Sequence, residues 1–185
     1  MDAAQQLAQQ LHNSLATPFE FGDAKKLYAA TSIGITLFGA GVLPPETLLQ
    51  QAEVAMYRAK DQGGNSFLVF DASMQATMDA RVALEMGLRD AIESRDFALY
   101  YQAQVDRVGN VVGAEALVRW SGADGKAISP ADFIPLAEET GLIVPLGEWV
   151  IRAAMAEAAR WTEPLTVAVN VSPVQMRSPG LLPTI

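Results

Sequence analysis

Two short runs of this sequence place polar side chains where chemistry could be done. The first is the alternating run over residues 111–120. Side chains in a strand alternate between faces. Glu115, Leu117 and Arg119 therefore project one way with Val111 and Gly113, while Val112, Ala114, Ala116 and Val118 project the other. At ~3.3 Å per residue, Glu115 and Arg119 stand about 13 Å apart along the strand. That is too far for an ion pair unless both side chains lean together, and it suits two contacts to one extended ligand. The competing reading is a solvated strand face. The second run is LTVAVNVS at 165–172, where Thr166, Ala168, Asn170 and Ser172 share a face. Asn170 falls at the carboxyl end, where α/β sheets and barrels build their sites. Its carbonyl oxygen suits a hard cation such as Mg2+. Alternatively it satisfies the turn before Pro173.

Other chemistry-bearing residues have plainer readings. Lys60 falls at the end of a helical pattern, where it complements the helix dipole or meets a phosphate. His12 reads as a surface histidine. Met74, Met78 and Met86 read as packing of a long helix, and Trp120, Trp149 and Trp161 as core. The Gly63-Gly64 pair is a helix stop, because no strand-to-helix glycine pattern surrounds it.

Composition removes whole classes of function. The chain has 185 residues, 50% hydrophobic and 18% charged, enough for one ordinary domain or two small ones. It contains no cysteine and a single histidine, so thiolate sites, disulfides and most histidine-based triads are excluded. The net charge of −8 and pI near 4.6 argue against a nucleic-acid polymer as partner. Any anionic ligand needs local cations or metal ions. No apolar stretch is long enough to span a membrane, and the N-terminus lacks a signal-peptide pattern. A cytoplasmic protein with no membrane contact in this segment is expected.

These residues need elements to position them. The pattern predicts a helix over 2–16 with Ala4, Leu7, Leu11 and Leu15 inward, a strand within 26–38, and a turn at 41–45. A helix from Pro45 to the Gly63 stop and a strand at 66–70 follow. A charged helix over 73–94 reads as a linker. Two β-like runs around 107–110 predict a hairpin. A helix over 131–140 capped by Gly141, a longer helix over 146–161 and the strand at 165–172 complete the pattern. Strands alternating with helices suggest βα units and a mostly parallel sheet.

AEALVRW at 114–120, FIPLAEETGLIVPLGEWV at 133–150 and VAVNVSPVQM at 167–176 together resemble the EAL domain family, and YYQAQVD at 100–106 fits the start of that domain. Upstream, SIGITLF at 32–38 and AEVAMYRAKDQGGNSFLVFD at 52–71 resemble the C-terminal portion of a GGDEF, or diguanylate cyclase, domain. The resemblance implies an α/β fold: the N-terminal part of an EAL-type (β/α)8 TIM-like barrel, preceded by the tail of an α+β GGDEF domain. The expected division is 1–70 for the GGDEF tail, 71–85 for a helical linker and 86–185 for the EAL part. The family is a phosphodiesterase that opens cyclic di-GMP to pGpG with Mg2+ or Mn2+.

By that resemblance, Glu115 and Asn170 match metal ligands and Arg119 matches a phosphate contact. Gln102 and Leu117 match positions lining the ligand cleft, and Lys60 matches a lysine that helps hold GTP phosphates, here vestigial. EAL proteins often dimerise, so a homodimer is an expected partner besides cyclic di-GMP. The departures are also informative. No GGDEF string occurs, Gly64 replaces an expected Arg, and Glu53 stands where Asp is commoner. Cyclase activity is therefore not expected. A complete barrel is ~250 residues, so this chain reads as a fragment, inactive alone, of a longer phosphodiesterase that upstream domains could tether to a membrane. The alternative is a non-catalytic cyclic di-GMP sensor or interaction module.

Overall fold

The structure, a computed structural model, describes residues 2–21, 25–39 and 43–181. The chain divides into two compact units, residues 1–81 and 82–185.

The first unit opens with helix α1 (Asp2–Ala16), as its apolar spacing predicts. Its covered face differs from the expected one. Ala8 is buried, while Leu7 and Leu11 are exposed. His12 lies one turn beyond Ala8 and shares its side of the helix. It is half-buried, and its Nδ1 is enclosed without a partner, so it is not the surface histidine expected. Strands β1 (Phe19–Phe21) and β2 (Lys25–Leu27) pair antiparallel, with Phe19 opposite Leu27. Strand β3 (Ile33–Ile35), helix α2 (Pro45–Asp61) and strand β4 (Phe67–Val69) form a βαβ unit, with Ile33 opposite Phe67 in parallel register. The single strand expected within 26–38 is thus two strands in two sheets. β propensity marks residues that suit a sheet but does not name the partner strand. Gly34 lets β3 approach α2, since a Cβ there would run into the Ala52 carbonyl. The turn expected at 41–45 lies largely outside the described residues.

Helix α3 (Ala72–Ser94) runs from the first unit into the second without a break. It buries Leu88 and Ala91 in the core of the second unit, whereas Met86 is exposed rather than packed. Strands β5 (Phe97–Val105) and β6 (Val111–Ser121) form the expected hairpin, in register from Phe97–Trp120 to Gln104–Gly113. Its turn is tied by the Asp106 carboxylate, which accepts from the backbone N–H groups of Val108 and Asn110 and from the Asn110 side chain. Strand β7 (Ala127–Ile128) pairs antiparallel with the end of β6.

Helix α4 (Pro130–Thr140) begins at a Ser129 cap and stops at Gly141, which adopts φ 77°. Helix α5 (Ile143–Ala158) starts and ends three residues earlier than its pattern predicts. Pro145 falls within its first turn, where a missing N–H costs no helical bond. Strand β8 (Thr166–Val169) pairs parallel with β6, and the single turn α6 (Pro173–Met176) follows. The sheet is not mostly parallel: β6–β8 is the one parallel pairing among its three. A five-residue turn can only reverse the chain, while the long return through α4 and α5 permits a parallel neighbour. The core lies between one face of this sheet and the helices, around Leu88, Trp120, Phe133, Leu146 and Val150. Trp120 meets Phe133 edge-on at 5.5 Å, and Trp161 meets Tyr101 edge-on at 5.8 Å.

Candidate functional site

The face of the sheet turned away from that core carries the polar residues. Register fixes them there. Gln102 stands opposite Glu115 on β6, and Glu115 stands opposite Ala168 on β8. Tyr100 pairs with Leu117 and Ala98 with Arg119. Gln102, Glu115, Leu117 and Arg119 thus share one face, as the period-two reading requires. Asn170 lies one residue beyond β8, two past Ala168, and comes to the same side.

The two residues expected to hold a cation touch. Asn170 Nδ2 donates to Glu115 Oε1 at 2.7 Å, across 55 residues of sequence. Both are accessible from the open face. A carboxylate and a carboxamide oxygen are hard donors of the kind Mg2+ and Mn2+ prefer, so this pair fits part of a cation's shell. Among the described residues, no cluster of three or more His, Cys, Asp or Glu side chains completes one.

Arg119 lies over Tyr100, with its guanidinium carbon 5.5 Å from the ring centroid, and its Nη1 donates to the Val118 carbonyl at 2.9 Å. Leu117, Arg119 and Asn170 border a cavity of about 360 Å³, which also meets Ile134, Glu138 and Ser172. Gln102 is exposed on the neighbouring strand. Lys60 belongs to the first unit, exposed in the last turn of α2, where it complements the helix dipole.

The sequence reading passed over several residues around this site. Tyr100 underlies Arg119; the hairpin register could have revealed it. Ser172 and Gln175 form a reciprocal helix cap, legible as Ser-x-x-Gln around Pro173. Ser172 Oγ also donates to Glu138 Oε1 at 2.6 Å, for which the sequence offers no local signal. On the opposite face, burial raises the Tyr101 hydroxyl's pKa, assisted by the nearby Glu157 charge.

A sheet backed by helices, with Glu115, Asn170 and Arg119 on its open face, defines the class: an α/β, TIM-barrel-type domain. The chain belongs to the EAL domain family, whose model matches residues 86–185; the model described as "Diguanylate cyclase, GGDEF domain" matches residues 1–66 ahead of it. Among curated relatives, the chain is 36% identical to the bifunctional diguanylate cyclase/cyclic di-GMP phosphodiesterase MucR of Pseudomonas aeruginosa, covering 97% of this chain and 27% of that protein. It is also 36% identical to the cyclic di-GMP phosphodiesterase PdeR of Escherichia coli, covering 94% of this chain and 27% of that one. The chain therefore spans about a quarter of the length of these relatives. The solved structure "PaMucR Phosphodiesterase, c-di-GMP complex" matches 55% of this chain and 43% of its own at 38% identity and TM-score 0.50. The EAL domain of FimX from Xanthomonas citri, in complex with c-di-GMP, shares the fold at 24% identity and TM-score 0.52, over 60% of this chain and 44% of its own. No helix among the described residues is long and apolar enough to cross a membrane.

Proposed function

We propose that residues 86–185 form part of a cyclic di-GMP phosphodiesterase site that opens the dinucleotide to pGpG. The contact between Glu115 and Asn170 carries this reading, because it joins two oxygen ligands on the face that also presents Arg119. Glu115 and Asn170 would hold a divalent cation, Mg2+ or Mn2+. Such a cation neutralises phosphate charge and acidifies a bound water. Arg119 binds a phosphate oxygen through its planar donors. Leu117 lines the cavity beside it, and Gln102 offers an amide to the extended ligand from β5. Residues 1–70 are read as a GGDEF tail whose Lys60 is a vestigial phosphate contact, and 71–85 as the linker. A cytoplasmic setting and a homodimer through the EAL part accompany the proposal on the family resemblance.

The test is calorimetric titration of the purified chain with cyclic di-GMP and Mn2+, with pGpG followed by chromatography. Binding that Glu115→Ala and Arg119→Ala both weaken supports the site, and pGpG formation adds the activity. Binding without pGpG fits a fragment, and the same assay on a longer chain that carries the rest of the EAL domain then separates the phosphodiesterase from the alternative, a cyclic di-GMP sensor. No binding to the unaltered chain overturns the reading.

A further inference from the structure

Glu138 sits where helix electrostatics disfavours it. It lies in the last turn of α4, beside the free carbonyls, where the macrodipole opposes an anion. It is nevertheless half-buried and accepts from Ser172 Oγ at 2.6 Å. Ser172 stands two residues beyond Asn170. Its hydroxyl also accepts from the Val174 N–H at 3.1 Å, and its own N–H donates to Gln175 Oε1 at 3.1 Å. Gln175 is only 3% exposed. It lies against Gly147 of α5, where a Cβ would collide with the Gln175 amide. The segment 170–173 is thus gripped from α4 and α6, and α6 rests on α5 through Gln175.

We infer that Glu138 is a positioning residue for the cation-holding pair: through Ser172 it fixes segment 170–173 and so aims the Asn170 amide at Glu115. This rests on the reading of Asn170 as a cation ligand. Glu138 itself touches neither Asn170 nor Glu115 in the hydrogen-bond network; its action passes through Ser172. Without the Ser172 bond, the turn keeps its cap on α6 but loses its tie to α4.

The test is amide NMR on the 15N-labelled chain. The Asn170 side-chain resonances are assigned by their loss in Asn170→Ala. In Glu138→Ala they should shift and broaden. In Glu138→Gln, whose Oε1 still accepts from Ser172, they should stay in place. A purely structural role would lower the melting temperature without singling out Asn170. Cyclic di-GMP affinity in Mn2+ should fall about tenfold in Glu138→Ala and remain near that of the unaltered chain in Glu138→Gln. Should Glu138→Ala fail to fold, Ser172→Ala replaces it in the same comparison. Asn170 resonances that stay unchanged on loss of the Glu138–Ser172 bond overturn the inference. If the unaltered chain binds no cyclic di-GMP, the functional reading falls instead, and the Asn170 resonances still decide the positioning role.

Discussion

Arg119 is held in place before any ligand arrives. Stacking on Tyr100 and a bond to the Val118 carbonyl restrict a side chain that otherwise loses much rotamer freedom on binding. A hydrogen bond to a charged group contributes about 1.5–3 kcal/mol. Arg119→Ala should therefore weaken cyclic di-GMP binding about 10–100-fold by calorimetry. Tyr100→Leu removes only the ring beneath the guanidinium, a contact of about 0.5–1 kcal/mol at exposed sites. A loss of a few-fold is expected for it, and an effect as large as that of Arg119→Ala would show that Tyr100 meets the ligand itself. The shared face of Glu115, Leu117 and Arg119 was legible because strand periodicity needs no partner. The contact between Glu115 and Asn170 was not, because it depends on pairing segments 55 residues apart. Glu138 was illegible for a related reason: an acid late in a helix looks like surface until its partner is known.

At the level of elements, the β5–β6 hairpin depends on its turn. The Asp106 carboxylate is held below its usual range, first by the Asn110 backbone N–H and then by the Asn110 side chain. A lowered carboxylate pKa stabilises the fold above the unfolded value of about 3.9, and that stabilisation is lost as pH falls through the folded value. Asp106→Asn should therefore lower Tm at pH 7 and flatten the fall of Tm below about pH 4, read by circular dichroism. A parallel offset at every pH would contradict this. Gly147 is a packing requirement of α5 against Gln175. Overpacking of this kind typically costs about 1–3 kcal/mol, so Gly147→Ala should lower stability by that order in urea titration. An unchanged midpoint would show that Gln175 can swing away. Helix α1 was legible from its apolar spacing, and α2 and α4 because proline and glycine punctuate their ends. Strand β7 and helix α6 were not, since two and four residues carry no periodicity. The mostly parallel sheet was a wrong inference from element order. The hairpin that the sequence also predicted already made one pairing antiparallel, and the two-residue β7 added another.

At the scale of the whole molecule, charge and core set the terms. A chain of net charge −8 repels polyanions. No retention on heparin at low salt is expected, and retention would reveal a basic patch that composition hides. Phe133, with no exposed surface, lies at the centre of the second unit's core. Phe133→Ala should cost about 3–5 kcal/mol, seen as faster hydrogen exchange throughout β5, β6 and β8.

The parallel pairing of β6 with β8 also sets an order of events during synthesis. The hairpin needs only the chain through residue 121, whereas Asn170 reaches Glu115 after both helices between them have been translated. Contacts so distant in sequence wait on loop closure. On the ribosome, then, both strands that carry Gln102, Glu115 and Arg119 are complete while Asn170 is still unmade. The contact between Asn170 and Glu115 is among the last this stretch of polypeptide can make.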